Sequence, residues 1–410
     1  MHKFILSIAT YSQKIHTYTP IVCYNSFNKF THYEGSYMMV FSINIPVKII
    51  SGRGCLNNNT KELLLGKRAM IVTGNAGAKS SGALDDVIAI LEANGIKYSI
   101  YSGVPANPPL LDAFKAGRLA IDCIADFIIG IGGGSAMDAA KAIAAFAANP
   151  HIMPEDIFDS SKLSNKALPI ALIPTTAGTG SEANPYSVLS LPGGEKKKTY
   201  NSPYAWAKVA FLDPKYTESM NYSATVSTAL DAFAHALESY LSPKANALSS
   251  MLAEYAAKNI WEVLTQMPDE FTDEHRDMLC FASCAAGAAI SITGTGFPHP
   301  LGYSLTMLAG IPHGRACAVF HGDYIEYNMK TPMGAERLNA LAAALGTKPK
   351  LMAEFLPGLA DVDIKLTEEE IIKYVDLIKG AKNYTNSPYV LNEEEMLDIY
   401  RKHFAKKRGK

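Results

Sequence analysis

The sequence predicts two regions of different fold class: an α/β region with a doubly wound, mainly parallel sheet, followed by an all-helical region. Two observations carry this prediction. Short buried-strand patterns alternate with helical patterns to about residue 212, as is typical of parallel sheets with crossover helices. After Pro214 the strand patterns disappear, and helical periodicity continues to the C-terminus. We therefore expect an α/β domain over residues 39–215 and a helical domain over residues 216–410.

Particular patterns define the expected elements of the α/β domain. Residues 68–73 are predicted as a strand that ends at Gly74, and residues 81–94 are predicted as a helix because apolar positions recur there at spacings of three and four. The same reasoning predicts further strands at 97–101, 127–131 and 169–173, and helices at 110–121 and 136–146. In the helical domain it predicts helices at 222–241, 248–266, 276–291, 316–329, 334–345 and 367–379.

Residues 1–38 stand apart because they show no clear period. We interpret them as a disordered extension or as sequence upstream of the true translation start. Glu34 and Gly35 can be encoded by purine-rich codons that form a ribosome-binding sequence just before Met38 and Met39. Translation would then begin at one of these two methionines.

Composition narrows the classes of protein and partner. A chain of 410 residues can form two domains, and a net charge of −1 gives no basic balance for nucleic acid. No apolar stretch reaches the ~18 residues of a membrane-spanning helix. The six cysteines are scattered and form no CxxC pair. We therefore expect no nucleic-acid or membrane partner, and a reducing, cytoplasmic location.

A glycine-rich turn, residues 132–135, links the strand predicted at 127–131 to the helix predicted at 136–146. Such a turn presents free backbone N–H groups and the positive end of the helix dipole, and a pyrophosphate fits there. The pattern is neither GxGxxG nor a Walker A motif. An ordinary strand–helix turn explains it equally well.

A hydroxyl-rich loop follows the strand predicted at 169–173. It contains Thr175, Thr176, Thr179 and Ser181, with glycines between them. Loops of this kind at the carboxyl end of a strand line cofactor crevices in α/β proteins. A turn held by local side chain–backbone hydrogen bonds is the alternative.

Two pairs of candidate metal ligands lie in the helical region. Asp231 and His235 are spaced i, i+4, so one helix face carries both, and Glu238 extends that face by a turn. His299 and His313 flank a short apolar segment that ends in a tight Gly-Ile-Pro-His-Gly turn. One carboxylate with up to three imidazoles suits Fe(II) or Zn(II), and Mn(II) less well. Each histidine alone would more often be a satisfied core or surface residue.

Taken together, these segments resemble the iron-containing (group III) alcohol dehydrogenase family. The matching motifs are GGGSAMDAAKA at 132–142, PTTAGTGSE at 174–182, DAFAHALESY at 231–240, and the pair His299 and His313 followed by Gly314. The resemblance extends from about residue 39 to the C-terminus. It implies a dehydroquinate synthase-like architecture, with a nicotinamide cofactor and one divalent metal, Fe(II) before Zn(II), between two domains.

The resemblance also implies roles for individual residues. The implied metal ligands are Asp231, His235, His299 and His313. The implied cofactor-binding residues are Asn107, Gly133, Gly134, Ser135, Asp138, Thr175, Thr176, Thr179 and Lys198. Lys197 is an alternative to Lys198, because three consecutive lysines leave the register open. A charged surface loop is the alternative to both.

Two positions depart from the family pattern. Many members carry a histidine, proposed as a proton relay, four residues after the third ligand, and Tyr303 stands there in this chain. Its hydroxyl can still hydrogen-bond, so we keep Tyr303 in the catalytic set with the four ligands. NAD-preferring members carry Asp after the first strand, and here that turn holds Gly74, with Lys79 nearby. Because no carboxylate repels a 2′-phosphate, we add Gly74 to the cofactor site and favour NADP over NAD.

The predicted function is a metal-dependent oxidoreductase that transfers a hydride between NAD(P) and a small alcohol or aldehyde. We also expect a homo-oligomer, a dimer or larger. Glycerol dehydrogenase-like and dehydroquinate synthase-like enzymes are alternatives within the same architecture, and the full motif set weighs against the latter. A non-catalytic nucleotide-binding protein is an alternative from another class. The four intact ligand positions argue against it.

Overall fold

The computed structural model describes residues 41–406, of which residues 44–406 lie within one compact unit. The extension predicted at residues 1–38 lies outside the described residues. No single helix in the described range is long and apolar enough to cross a membrane, although one bent helix pair passes that test by length and composition alone.

The N-terminal half contains the strands β1 Lys48–Ser51, β2 Arg68–Gly74, β3 Lys97–Val104, β4 Phe127–Gly132, β5 Ile170–Pro174, β6 Tyr186–Ser190, β7 Lys197–Asn201 and β8 Val209–Leu212. Six of them form a parallel sheet in the order β1-β8-β5-β4-β2-β3, which confirms the predicted fold class. Strands β6 and β7 form a separate antiparallel pair that the sequence did not predict.

Helices flank the sheet and then form the whole C-terminal half. Those of the sheet region are α1 Cys55–Asn58, α2 Thr60–Leu63, α3 Gly77–Ser80, α4 Ala83–Ala93, α5 Leu110–Asp122 and α6 Gly134–Ala148. Those of the helical region are α7 Tyr222–Leu241, α8 Ala247–Gln266, α9 Asp273–Thr293, α10 Pro298–Ala309, α11 His313–Ala318, α12 His321–Asn328, α13 Pro332–Ala344, α14 Pro349–Gly358, α15 Glu368–Ile378 and α16 Glu393–Phe404.

Strand β4 shows why the sheet patterns are continuous runs rather than alternating ones. Ile128 faces one apolar core and Ile129 faces the other, and both are fully buried. Parallel sheets are covered by helices on both faces, so both sides of a central strand must be apolar. The carboxyl ends of β2, β4 and β5 are therefore held at one edge of a rigid sheet.

Helix α7 is the central element of the helical region and packs against α8, α9 and α11. Its N-terminus is capped by Asn221, whose side-chain oxygen accepts a hydrogen bond from the Ala224 N–H. Residues from Thr225 onward are buried almost without interruption. The many alanines permit this close packing, and the helix carries its polar side chains into the protein interior.

One helical expectation was wrong in detail. The helix predicted at 316–329 is divided into α11 and α12, and the break falls at Phe320, with ψ of 2°. The fully buried Phe320 ring packs against Tyr400 and Phe404, so tertiary packing replaces continuous helix at this point. The segment before His313, for which no helix was predicted, forms helix α10, which includes His299 and is followed by Gly310 in the left-handed conformation.

Candidate metal and cofactor site

The two predicted loops meet because their strands are neighbours. Gly132 of β4 is paired with Pro174 of β5, and the Thr175 N–H donates to the Gly132 carbonyl at 2.9 Å. The glycine-rich turn and the hydroxyl-rich loop therefore line one cleft, of about 1550 Å³, which also reaches the helical region. Thr176 and Thr179 line this cleft, whereas Thr175 is buried beside Gly77.

Glycine is required in the turn because the threonine loop lies directly against it. A Cβ on Gly134 would stand 2.6 Å from Thr179 Cγ2, and one on Gly133 would stand 3.2 Å from Thr176. Gly134 is also the first residue of α6, whose opening N–H groups have no partner within the helix. The turn thus combines close backbone approach with an anion-attracting helix N-terminus.

Asp138 holds the two loops together. Its carboxylate accepts hydrogen bonds from the Ser181 hydroxyl at 2.6 Å and from the Val188 N–H at 2.9 Å. The buried Lys141 donates to the Ser181 hydroxyl and carbonyl and to the Tyr186 carbonyl, each at 2.7 Å. Burial lowers the pKa of Lys141 to about 8. Sequence reasoning missed Lys141, although its i+3 spacing from Asp138 was visible.

Of the other predicted cofactor residues, Asn107 lines the same cleft, whereas Gly74 is not among the residues that line it. Asn107 adopts a left-handed φ of 57°, and its N–H donates to the Ser135 hydroxyl at 3.2 Å. Gly74 ends β2 and is paired with Val104 of β3, and a Cβ on Gly74 would meet only the Val104 carbonyl oxygen, at 3.8 Å. The nearby Lys79 is exposed and pairs with Asp85.

The four predicted metal ligands converge on one atom. Oδ1 of Asp231 lies 3.9 Å from His235 Nε2, 3.7 Å from His299 Nε2 and 3.8 Å from His313 Nε2. Helix α7 supplies the first two residues, α10 supplies His299 and the start of α11 supplies His313. Three helices thus bring residues that are distant in sequence together around one carboxylate oxygen of Asp231.

Two of the candidate metal-ligand atoms around Asp231 have no hydrogen-bond partner in the described residues. Within residues 41–406, neither the buried Asp231 Oδ1 atom nor the buried His299 Nε2 atom has a hydrogen-bond partner. Leaving a buried carboxylate oxygen unpaired is costly, and a divalent cation would satisfy both atoms. The carboxylate and imidazole donors fit Fe(II) or Zn(II).

Glu238 fixes the orientation of one ligand. It is fully buried, and both carboxylate oxygens lie 2.8 Å from His299 Nδ1. Its Oε2 also accepts the Gly296 N–H at 2.5 Å. With Nδ1 bonded to this carboxylate, Nε2 is directed at Asp231, which is the usual support for a metal-binding imidazole.

The protonation states of the candidate ligands favour binding of a cation. Burial lowers the pKa of His235 to about 4 and also lowers the pKa of His313, so both rings are neutral near pH 7 and have free lone pairs. Burial opposes protonation of His299, but Glu238 and Asp231 outweigh it and raise its pKa. The two buried carboxylates therefore attract positive charge to this position.

Tyr303 and the lysines form the wall next to the cluster. The Tyr303 ring stacks on His313 with centroids 5.9 Å apart, and Lys197 Nζ lies 5.3 Å from the Tyr303 centroid. Lys198 instead lies over Phe158, at 4.6 Å, because successive residues of strand β7 point to opposite faces. Burial lowers the pKa of Lys197 to about 8.

Comparison with known proteins places residues 46–214 and 225–355 in one family. Residues 46–214 match the model of iron-containing alcohol dehydrogenases, and residues 225–355 match the C-terminal model of Fe-containing alcohol dehydrogenases.

Individual relatives agree with these matches. An NADPH-dependent butanol dehydrogenase of Clostridium saccharobutylicum is 31% identical over 88% of this chain and 97% of its own length. A sulfoacetaldehyde reductase of Bilophila wadsworthia is 33% identical, covering 82% of this chain and 87% of the relative. The crystal structure of an iron-containing alcohol dehydrogenase from Thermotoga maritima superposes with a TM-score of 0.82 at 36% identity, covering 89% of this chain and 99% of that one. The chain belongs to the iron-containing alcohol dehydrogenase family.

Proposed function

We propose that this oxidoreductase, which transfers a hydride between NAD(P) and a small alcohol or aldehyde, holds its metal with Asp231, His235, His299 and His313. The observation that carries the assignment is the Asp231 Oδ1 atom, which three imidazole Nε2 atoms surround at 3.7–3.9 Å. We further propose Fe(II) as the resident ion, with Zn(II) as the alternative that the same donors accept.

A bound divalent ion supplies Lewis acidity that lowers the pKa of the substrate hydroxyl, and NAD(P) supplies the hydride acceptor. The protein residues provide orientation. Glu238 fixes the His299 ring, and the cleft brings the glycine-rich turn and the metal cluster together. Tyr303, stacked on His313, is the polar group that we place beside the reacting atoms, at the position of the relay histidine in other members.

The proposed nucleotide site is the edge of the sheet. The α6 N-terminus with Gly133, Gly134 and Ser135 would receive the pyrophosphate, and Thr176 and Thr179 would line its other side. Of the two candidate lysines, Lys197 is the one beside the metal cluster, so we assign it rather than Lys198 to the ribose or phosphates.

We propose a preference for NADP(H). Gly74 at the end of β2 offers no carboxylate to repel a 2′-phosphate or to bond free ribose hydroxyls. Relatives with either dependence in their names occur, an NADPH-dependent butanol dehydrogenase of Clostridium saccharobutylicum and an NADH-dependent butanol dehydrogenase B of Clostridium acetobutylicum, so the proposed preference rests on Gly74 alone. The cofactor preference is open to a direct test by comparing kcat/KM for the two nucleotides.

We also propose a cytoplasmic homo-oligomer. The cysteines of the described range are all free, which agrees with a reducing compartment. Light scattering of the purified chain measures the subunit number, and a monomer at every concentration would contradict the oligomer.

The function is tested on anaerobically purified protein. Metal analysis should find one Fe(II) or Zn(II) per chain, and NADPH with a short aliphatic aldehyde should give metal-dependent loss of the reduced-nicotinamide absorbance. A protein that binds NADPH without turning over any alcohol, aldehyde or glycerol would favour a non-catalytic nucleotide-binding role. Turnover of a phosphorylated sugar acid without net nicotinamide reduction would favour dehydroquinate synthase-like chemistry.

A further inference from the structure

A sulfur atom lies among the proposed metal ligands. Cys317 Sγ is 3.9 Å from both ring nitrogens of His313. Donor atoms of Asp231, His299, His313 and Cys317 all lie within 4.8 Å of one another. The thiol is fully buried. This residue has no role in the proposed function set out above.

The position of Cys317 follows from helix geometry. His313 and Cys317 are spaced i, i+4 on α11, so both side chains project from the same face toward Asp231. Helix α11 packs on α7, where Gly314 allows an approach so close that a Cβ would overlap the Ser227 carbonyl. This contact fixes the rotation of α11 about its axis and turns both donors to the cluster.

The distances agree with coordination. Five protein ligands hold neighbouring donor atoms at angles of about 90–120°, so metal–nitrogen bonds of ~2.0–2.1 Å and metal–sulfur bonds of ~2.3 Å separate sulfur from nitrogen by roughly 3.1–3.8 Å. The observed separation of 3.9 Å between sulfur and imidazole nitrogen is close to that range, and small rotations of two side chains would close the difference. A second observation points to a ligand here, since the buried Asp231 Oδ1 and His299 Nε2 have no hydrogen-bond partner in the described range.

We propose that Cys317 is a sulfur ligand of the divalent metal, additional to the aspartate and histidines. The inference rests on the proposed metal site. On coordination the thiol gives up its proton to solvent and the sulfur binds as thiolate. Sulfur donors suit Zn(II), Co(II) and iron, whereas Mg(II) and Mn(II) prefer oxygen. Cys317 would therefore make the site prefer Zn(II), Co(II) or iron over Mg(II) and Mn(II).

Co(II) gives a direct readout of sulfur coordination. The whole chain is stripped with a chelator, loaded anaerobically with Co(II), and its absorption spectrum is recorded together with metal content. The parent should bind one Co(II) with an intense sulfur-to-cobalt charge-transfer band in the near ultraviolet. Cys317→Ser and Cys317→Ala should lose that band while still binding Co(II), and Cys284→Ala, which removes another buried cysteine, should keep it.

Metal competition gives a second readout. Cys317→Ala should lower the affinity for Zn(II) by about 10-fold or more and leave that for Mn(II) nearly unchanged, on the scale seen when the surroundings of a metal site are altered. A parent that binds one Co(II) without the charge-transfer band overturns the role of Cys317 and leaves the four-ligand site intact. A parent that binds no Co(II), Fe(II) or Zn(II) overturns the proposed metal site as well.

Discussion

The group of candidate metal ligands and the nucleotide cleft are built in opposite ways. The cluster consists of side chains that three separate helices carry to one buried point around Asp231. The glycine-rich turn consists of backbone, and its closeness to Thr176 and Thr179 depends on side chains being absent. Removing a side chain should therefore impair the metal-ligand group, and adding a side chain should impair the glycine-rich turn.

The largest effect should come from His299→Ala. This change removes a ligand and leaves Glu238 buried without its imidazole partner. The loss should exceed the about 10–100-fold cost of altering a supporting residue, so bound metal and turnover should both nearly vanish. Elemental analysis and kcat/KM measure the effect, and circular dichroism checks the fold. His151→Ala, at an exposed histidine, is the matched control. Full metal content in the purified His299 variant would contradict the assignment.

Gly134→Val tests the role of the glycine-rich turn in cofactor binding. The added side chain would clash with Thr179, whose Cγ2 would lie 2.6 Å from the new Cβ. The displaced loop would crowd the pyrophosphate, and a loss of about 1–3 kcal/mol in binding free energy corresponds to roughly 5- to 150-fold weaker cofactor binding. Fluorescence titration with NADPH measures the dissociation constant. Bound metal should stay at the parental level, and equal cofactor affinity in parent and variant would show that this turn does not hold the nucleotide.

Gly74→Asp should change selectivity rather than abolish binding. The site has room, because the nearest atom to a new Cβ is the Val104 carbonyl oxygen at 3.8 Å. The carboxylate would repel a 2′-phosphate and accept bonds from the free hydroxyls of NAD. Charge-assisted bonds of about 1.5–3 kcal/mol should move the ratio of kcat/KM values by about tenfold or more toward NAD(H). A parent that already prefers NAD(H), or an unmoved ratio, would refute the role of Gly74.

The smallest effect should be a pH dependence of cofactor affinity. Lys197 has its pKa lowered by burial to about 8, so its positive charge is present below that pH and lost above it. NADPH binding should therefore weaken as pH rises past this pKa, by at most about tenfold per pH unit. Lys197→Met should weaken binding at low pH and flatten the profile, whereas Lys198→Met should keep the parental slope. A flat parental profile would rule out a cofactor contact for Lys197.

The sequence by itself determined the elements and the local geometry of the motifs. Continuous apolar runs such as Phe127 to Ile131 specify strands buried on both faces, and their order with the intervening helices specifies a parallel sheet. The i, i+4 spacing of Asp231 and His235 placed both on one helix face. These features depend on residues close in sequence, so periodicity reveals them.

Only the tertiary structure decided which distant groups meet. That Glu238 supports His299 and that Cys317 lies beside the candidate metal ligands follow from how α7, α10 and α11 pack. The meeting of His299 and His313 with Asp231 has the same physical origin, although the family resemblance had already implied it. The break at Phe320 and the choice between Lys197 and Lys198 have the same origin. The packing of helices and the direction in which strand side chains point depend on which surfaces are buried against each other. Short-range sequence patterns carry little information about that burial.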